Sequence, residues 1–241
     1  MILDLDVGNT RLKWRSVDAQ GVLLARGAQS NNDGLDTLAK QLGAPHRVRV
    51  ACVRDVAFRE QLQLRIRACW SLDAEFARST PQAAGVINAY AQPENLGVDR
   101  WLTMLAAKAR GQGACCIVDA GSALTVDLLC DDGRHLGGYI VPGLAMQRAS
   151  LLAGTAIRLP EPPVWEQATP GASTSAAIHN GILSMTVAWL IAMSESALSS
   201  GGALYLTGGD AQVLSVQLQA RSVPHEIVAD LVLEGLAAAL P

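Results

Sequence analysis

Charge is scarce in this chain of 241 residues: 17% are Asp, Glu, Lys or Arg, whereas half are apolar. That balance excludes a disordered segment, and a chain of this length buries a real core as one large domain or two small ones. Basic surface is also lacking. Arg47, Arg49, Arg54, Arg59, Arg65 and Arg67 are scattered over a strand and a helix with few aromatics among them, so no nucleic-acid partner is expected. The five cysteines include Cys115 beside Cys116 but no Cys-x-x-Cys pair, which argues against a disulfide framework or a zinc site; Cys115 and Cys116 read as small buried hydrophobes. His46, His135, His179 and His225 lack zinc spacing and read as structural, and the five tryptophans read as core or interface. The longest apolar stretch, Ile182 to Met193, is interrupted by Ser184 and Thr186 and is too short to span a bilayer, so a buried helix is expected there. Asp4 comes too early for the apolar core of a signal peptide. A cytoplasmic protein with no membrane role is therefore expected. No Walker Gly-x-x-x-x-Gly-Lys-Ser/Thr pattern is present, which excludes a P-loop mechanism.

What the chain does carry is concentrated in its opening. Leu3, Leu5 and Val7 alternate with Asp4 and Asp6, a strand pattern. Asp6-Val7-Gly8-Asn9-Thr10 then turns into a second strand, Arg11 to Val17, and Gln20-Gly21 into a third, Val22 to Ala28. Gly8 lets an anion approach the backbone, Asn9, Thr10 and Lys13 are donors, and Asp6 would meet phosphate through a hydrated Mg²⁺. Ordinary hairpin chemistry explains the same residues when they are taken alone. The pattern recurs, however, at Cys116-Ile117-Val118-Asp119-Ala120-Gly121-Ser122-Ala123, with Asp132-Gly133 as the later turn. Two matching units suggest duplication, with domains over residues 1–111 and 112–241.

Between the two copies, helices are expected from Asn32 or Asp33 through Leu42, over Asp55 to Cys69 and from Gly97 to about Gly111, with strands at Val48 to Val53 and Leu72 to Phe76 and a loop over residues 79–96. After the second copy come a helix ending near Ala153, a proline-rich loop over 154–172, and a long helix capped by Ser173 or Thr174. Its expected buried stripe is Ile178, Ile182, Met185, Trp189 and Ala192. A strand at Ala203 to Leu206, a helix from Ala211, a strand within Val223 to Val228 and a helix over Asp230 to Leu240 complete the chain.

This duplicated unit resembles the actin, hexokinase and heat-shock ATPase superfamily. Within it, Asp6-Val7-Gly8-Asn9-Thr10, Gly97-Val98-Asp99-Arg100, Asp119-Ala120-Gly121-Ser122-Ala123, Gly137-Gly138-Tyr139-Ile140-Val141-Pro142-Gly143 and Thr207-Gly208-Gly209-Asp210 occur in the order and spacing of type III pantothenate kinases. The resemblance implies an α/β fold of two ribonuclease-H-like domains, each a mixed five-stranded sheet flanked by helices, with a cleft between them. It implies transfer of the ATP γ-phosphoryl group to pantothenate, the first step of coenzyme A synthesis, by a homodimer. ATP would be held by Asp6, Val7, Gly8, Asn9, Thr10, Arg11, Leu12 and Lys13, by Ser122, and by Gly208 and Gly209 at a helix start.

By the same resemblance Asp99 is the general base, and Tyr90, Gly97, Val98, Asp99, Arg100 and Thr174 bind pantothenate. Arg100 would fork onto its carboxylate, and Thr174 would close the same pocket, from its own or the neighbouring subunit. Asp119 would hold a monovalent cation, potassium or ammonium, beside the Mg²⁺ served by Asp6. Blander readings stand beside these: Asp99 complements a helix dipole, Arg100 makes a surface ion pair, Tyr90 packs and Thr174 caps. The chain departs from the family pattern at Ser122, where threonine is usual, and at Ser173-Thr174, where Asn-Thr is usual. A non-catalytic accessory protein of the same fold, or a kinase for another small molecule, are the competing functions.

Overall fold

The computed structural model describes residues 1–8, 11–30, 34–111, 113–159 and 161–241. They form two compact units: Met1–Ala109 with Asp230–Pro241, and Arg110–Ala229.

In the first unit β1 (Ile2–Val7), β2 (Arg11–Val17) and β3 (Leu23–Ser30) form an antiparallel meander, followed by α1 (Gly34–Gln41), β4 (Arg47–Cys52), α2 (Val56–Trp70) and β5 (Ala74–Phe76). β4 joins β1 in parallel and β5 joins β4 in parallel, giving the mixed order β3-β2-β1-β4-β5. Asp55 caps α2, its side chain accepting from the Phe58 amide; the caps expected at Asn32 and Asp33 lie outside the described residues. The alternation of β1 puts Leu3, Leu5 and Val7 on one face with Leu35, Leu38, Leu62 and Ile66 of α1 and α2.

The opposite face of that sheet is also covered, which the alternation alone does not reveal. Asp4 is fully buried there. Its carboxylate accepts from Arg49 Nε at 2.7 Å and Nη2 at 3.2 Å, and from Arg15 Nε at 2.9 Å. A carboxylate taken out of water this completely is tolerable only with such partners. Arg49 therefore belongs to the interior rather than to a basic surface.

The segment expected to be loop contains a small hairpin, β6 (Gln82–Ala83) with β7 (Val86–Ile87), turning through Ala84 and Gly85 at positive φ. Both central residues in the left-handed region make a turn of the primed kind that suits a tight hairpin. α3 (Val98–Arg110) follows, with Trp101, Leu102, Met104 and Leu105 fully buried.

The second unit repeats the plan with β8 (Cys115–Ala120), β9 (Ala123–Leu129), β10 (His135–Pro142), α4 (Leu144–Ala153), α5 (Thr174–Ser199), β11 (Ala203–Thr207), α6 (Ala211–Gln219) and β12 (Glu226–Ile227). Its sheet order, β10-β9-β8-β11-β12, matches the first strand for strand. Cys116 lies in its core, where burial pushes the thiol up to about 12. His135, also buried, pairs with Asp127 at 2.9 Å.

α5 is, among the described residues, the one helix long and apolar enough to cross a membrane by length and composition. Leu183, Val187 and Leu190 nonetheless lie in the core of the second unit, as a core helix requires. The expected stripe is rotated: Met185 and Ala192 are exposed, while His179, Leu183, Val187, Leu190, Ser194 and Ala197 are buried. A helix apolar nearly all round offers no contrast from which to choose its inner face.

The last helix, α7 (Leu231–Ala239), was expected with the second domain and instead packs with the first unit, on β1 and β4. Leu231, Leu233 and Leu236 are buried, and Gly235 lies so close to α3 that a Cβ would stand 2.1 Å from the Leu102 carbonyl oxygen. The chain thus passes from the first unit to the second at Ala109/Arg110, close to residue 112, and returns to the first unit at Asp230.

Candidate active site

At the C-terminal end of β1, the central strand of the first sheet, the Gly8 amide donates to the Arg11 carbonyl at 3.1 Å. Asp6 is half-buried there, paired across the strands with Lys13 and Ala51. Val7 and Leu12 point into the core, at 1% and 2% exposure, so only their main chain is open to a ligand. Arg11 is exposed and Lys13 half-buried. Asn9 and Thr10, both expected to bind ATP, lie outside the described residues.

The second unit builds the matching turn with one residue fewer. The Gly121 amide donates to Ala123 O at 3.0 Å, and Asp119 is paired with Thr125 and Thr207. Gly208, at φ +94°, closes over this turn, and a Cβ there would lie 2.5 Å from Asp119 Oδ1 and from the Ala120 carbonyl. Gly143 also lies against this turn, where an added Cβ would stand 2.2 Å from Gly121 O. Only glycine fits these two places, so Asp119 and the exposed Ser122 sit in a cradle made of backbone. Asp210, following Gly209, is half-buried, and desolvation raises its carboxyl above the usual range; no role was expected for it.

Asp99 and Arg100 open α3, where the Gly97 carbonyl accepts the first helical bond from Trp101 at 3.0 Å. Asp99 Oδ1 accepts from the Arg100 amide at 2.8 Å, and an added Cβ at Gly97 would stand 2.6 Å from that oxygen. Arg100 is 5% exposed; its Nη1 donates to the Tyr90 hydroxyl at 2.9 Å and its guanidinium lies 5.9 Å from the Tyr90 ring centre. Tyr90 is in turn hung from Asn88, whose Oδ1 accepts the Tyr90 amide at 3.0 Å while its Nδ2 donates to Thr80 O and Pro93 O. Tyr90, Gly97, Asp99 and Arg100 are thus brought together. Asn88 went unassigned from the sequence, although Asn two residues before a site residue is the signal of such a turn. Val98 packs in the core. At the start of α5 the cap is Ser173, whose hydroxyl accepts from Ala176 N at 3.2 Å, leaving exposed Thr174 as the first helical residue.

A profile of the type III pantothenate kinase family matches residues 2–195. The chain belongs to that family. Full-length relatives agree: the type III pantothenate kinase of Ectopseudomonas mendocina is 38% identical over the whole chain and 99% of its own length, and that of Chromohalobacter salexigens is 40% identical over the whole chain and 88% of its own length. A crystal structure from Campylobacter jejuni, named for the Baf family of transcriptional activators, superposes with a TM-score of 0.61 over 98% of this chain and 95% of its own, at 20% identity. That likeness concerns the fold alone, two mixed five-stranded sheets flanked by helices. This type III pantothenate kinase phosphorylates pantothenate with ATP, the first step of coenzyme A synthesis.

Proposed function

We propose that Asp99 is the general base of this reaction, that Arg100 receives the pantothenate carboxylate, and that Tyr90 lines the same pocket with its ring toward the dimethyl portion and its hydroxyl toward an amide. The observation that carries this reading is the packing at the head of α3. One acid and one buried guanidinium lie on consecutive residues, the acid held by a main-chain amide and the guanidinium by a tyrosine hydroxyl. Asp99 accepts the proton of the pantothenate primary hydroxyl as its oxygen attacks the γ-phosphorus of ATP, with ADP leaving. A positioned base of this kind contributes ~10²- to 10⁴-fold, and in-line positioning with charge neutralisation supplies the rest. Thr174, exposed at the head of α5, is a further pantothenate contact in this reading.

The nucleotide falls to the two glycine turns: Asp6, Gly8, Asn9, Thr10, Arg11 and Lys13 with the main chain of Val7 and Leu12, and Ser122 with Gly208 and Gly209. For cations, Asp119 Oδ1 and the Ala120 carbonyl oxygen both lie 2.5 Å from the place that a Gly208 Cβ would take, two oxygen donors at a cradle that a Cβ would fill. That donor set suits a hard cation such as potassium or ammonium. Asp6, a single carboxylate beside a glycine turn, suits Mg²⁺ shared with phosphate. Bound there, both ions would offset triphosphate charge.

Exposed Tyr139, Ile140, Met146, Leu151 and Met185 on β10, α4 and α5 support a homodimer, which light scattering would register as twice the chain mass. A cytoplasmic location fits an enzyme whose substrates are ATP and pantothenate. The test is ³¹P detection of product from ATP, Mg²⁺ and pantothenate, in potassium and then in sodium salt. Phosphopantothenate in equal amount to ADP, formed faster in potassium, is expected. ADP without phosphopantothenate would refute the reading, and equal rates in both salts would remove the cation from Asp119.

A further inference from the structure

The proline-rich segment between α4 and α5 is expected from sequence to be plain loop, yet it is fastened along its length. Arg148 of α4 donates from Nη2 to the carbonyls of Leu159 at 3.2 Å and Glu161 at 3.0 Å. Its Nε donates to His179 Nε2 of α5 at 3.0 Å. The Trp165 ring stands edge-on to the His179 ring with centres 5.2 Å apart. Further along, Gln217 of α6 donates to Glu166 O at 2.9 Å and Asn180 of α5 to Thr169 O at 2.8 Å. Gly171 then touches the first turn of α5, where a Cβ would lie 2.3 Å from Ala176 C and Ala177 N. The segment runs straight into Ser173 and Thr174.

We propose that Arg148 and His179 are positioning residues of the kinase: they clamp residues 155–159 and 161–171 as a strap across α4 and α5 and so hold Thr174 in place for pantothenate. This rests on the reading of Thr174 given above. The chemistry of the clamp is specific. A guanidinium has no acceptor, so the contact with His179 requires Nε2 to be a bare lone pair, and His179 must be the neutral tautomer carrying its proton on Nδ1. Lysine could not reach three acceptors in the same fork. His179 is 3% exposed. Arg148 is the charged side chain bearing on its ring, and Glu161 and Glu166 of the strap are exposed and join the fastening through main-chain carbonyls.

Burial and the neighbouring Arg148 cation lower the His179 pKa below its ordinary 6.5. The sign follows: the clamped state disfavours the imidazolium, so it is secure above the ordinary imidazole range and loses ground as pH falls below it. A protonated ring can no longer accept from Arg148 and repels it.

The test uses the whole enzyme and reads hydrogen exchange of strap peptides together with kinetics. In Arg148→Met, loss of three bonds from a charged donor should speed strap exchange at least about tenfold. KM for pantothenate should rise by a similar factor, with kcat and KM for ATP within about twofold. His179→Gln keeps an acceptor oxygen and cannot charge; the parent enzyme's pantothenate KM should rise on the acid side, and that rise should be absent from the variant. Unchanged strap exchange in Arg148→Met overturns the clamp. Faster exchange with an unchanged KM overturns the positioning role alone if Thr174→Val raises KM, and overturns the reading of Thr174 if that variant is also silent. Should Arg148→Met fail to fold, an acid limb in His179→Gln equal to the parent's overturns the proposal.

Discussion

Gly97→Ala separates catalysis from folding at the head of α3. The new Cβ would stand 2.6 Å from Asp99 Oδ1, about 1 Å inside the optimal separation of non-bonded heavy atoms. The obstructed atom is the end of a side chain, and Gly97 is not among the glycines at positive φ, so the backbone accepts alanine. Removing glycine from a compatible position gains ~0.4–1 kcal/mol. Loss of the Arg100 amide bond to Oδ1 costs ~0.5–1.5 kcal/mol. Stability should therefore change by less than about 1 kcal/mol. Asp99, however, must swing by most of an ångström, and a misplacement of about 1 Å costs a reaction ~10²-fold. Purified Gly97→Ala should melt within a few degrees of the parent and lose ~10- to 100-fold in kcat, with KM for ATP unchanged. ADP release is best followed directly by chromatography. Parental kcat in a folded Gly97→Ala protein would show that Asp99 needs no such placement, and the reasoning would fail.

Asp4→Ala should destabilise the first unit by about 3–5 kcal/mol in urea unfolding, since it strands Arg49 without its carboxylate in the interior; a loss under 1 kcal/mol would mean that water reaches the site. Acid should also weaken the fold through Glu75, whose carboxyl is held below its ordinary 4.5 by the hydrogen bond from Arg47. A depressed folded pKa gives stability that is present above the unfolded value and fades as pH falls through the folded one. Unfolding midpoints of the parent should thus drop below about pH 4.5, and those of Glu75→Gln should drop less, by a modest amount because the pair is partly exposed.

The parts of this protein that were legible in its sequence are the local ones. The alternation of Leu3, Leu5 and Val7, the Asp-x-Gly turns and the repeated third strand each need only neighbouring residues to be recognised, and both sheets follow them. Motif order then carried the head of α3, where Asp99, Arg100 and Tyr90 do meet. The burial of Asp4 is not legible locally, because a strand covered on both faces hides its polar positions and no local pattern reveals that α7 returns to cover the second one. The inner face of α5 was lost for a related reason: Met185 and Leu183 are equally apolar, and only the sheet beneath chooses between them. Arg148 and His179 meet from separate helices, and Arg148 also holds the Leu159 and Glu161 carbonyls; such contacts leave no periodic trace, whereas Asn88 carries a local turn signal.

In the reaction proposed above, Asp99 takes the pantothenate proton. That step is tested most directly by Asp99→Asn, which keeps the shape and the acceptor for the Arg100 amide but removes the base. Melting and ATP binding of Asp99→Asn should be unchanged, with phosphopantothenate formation reduced by ~10²-fold or more. Turnover at the parental rate in that variant would contradict the proposed step.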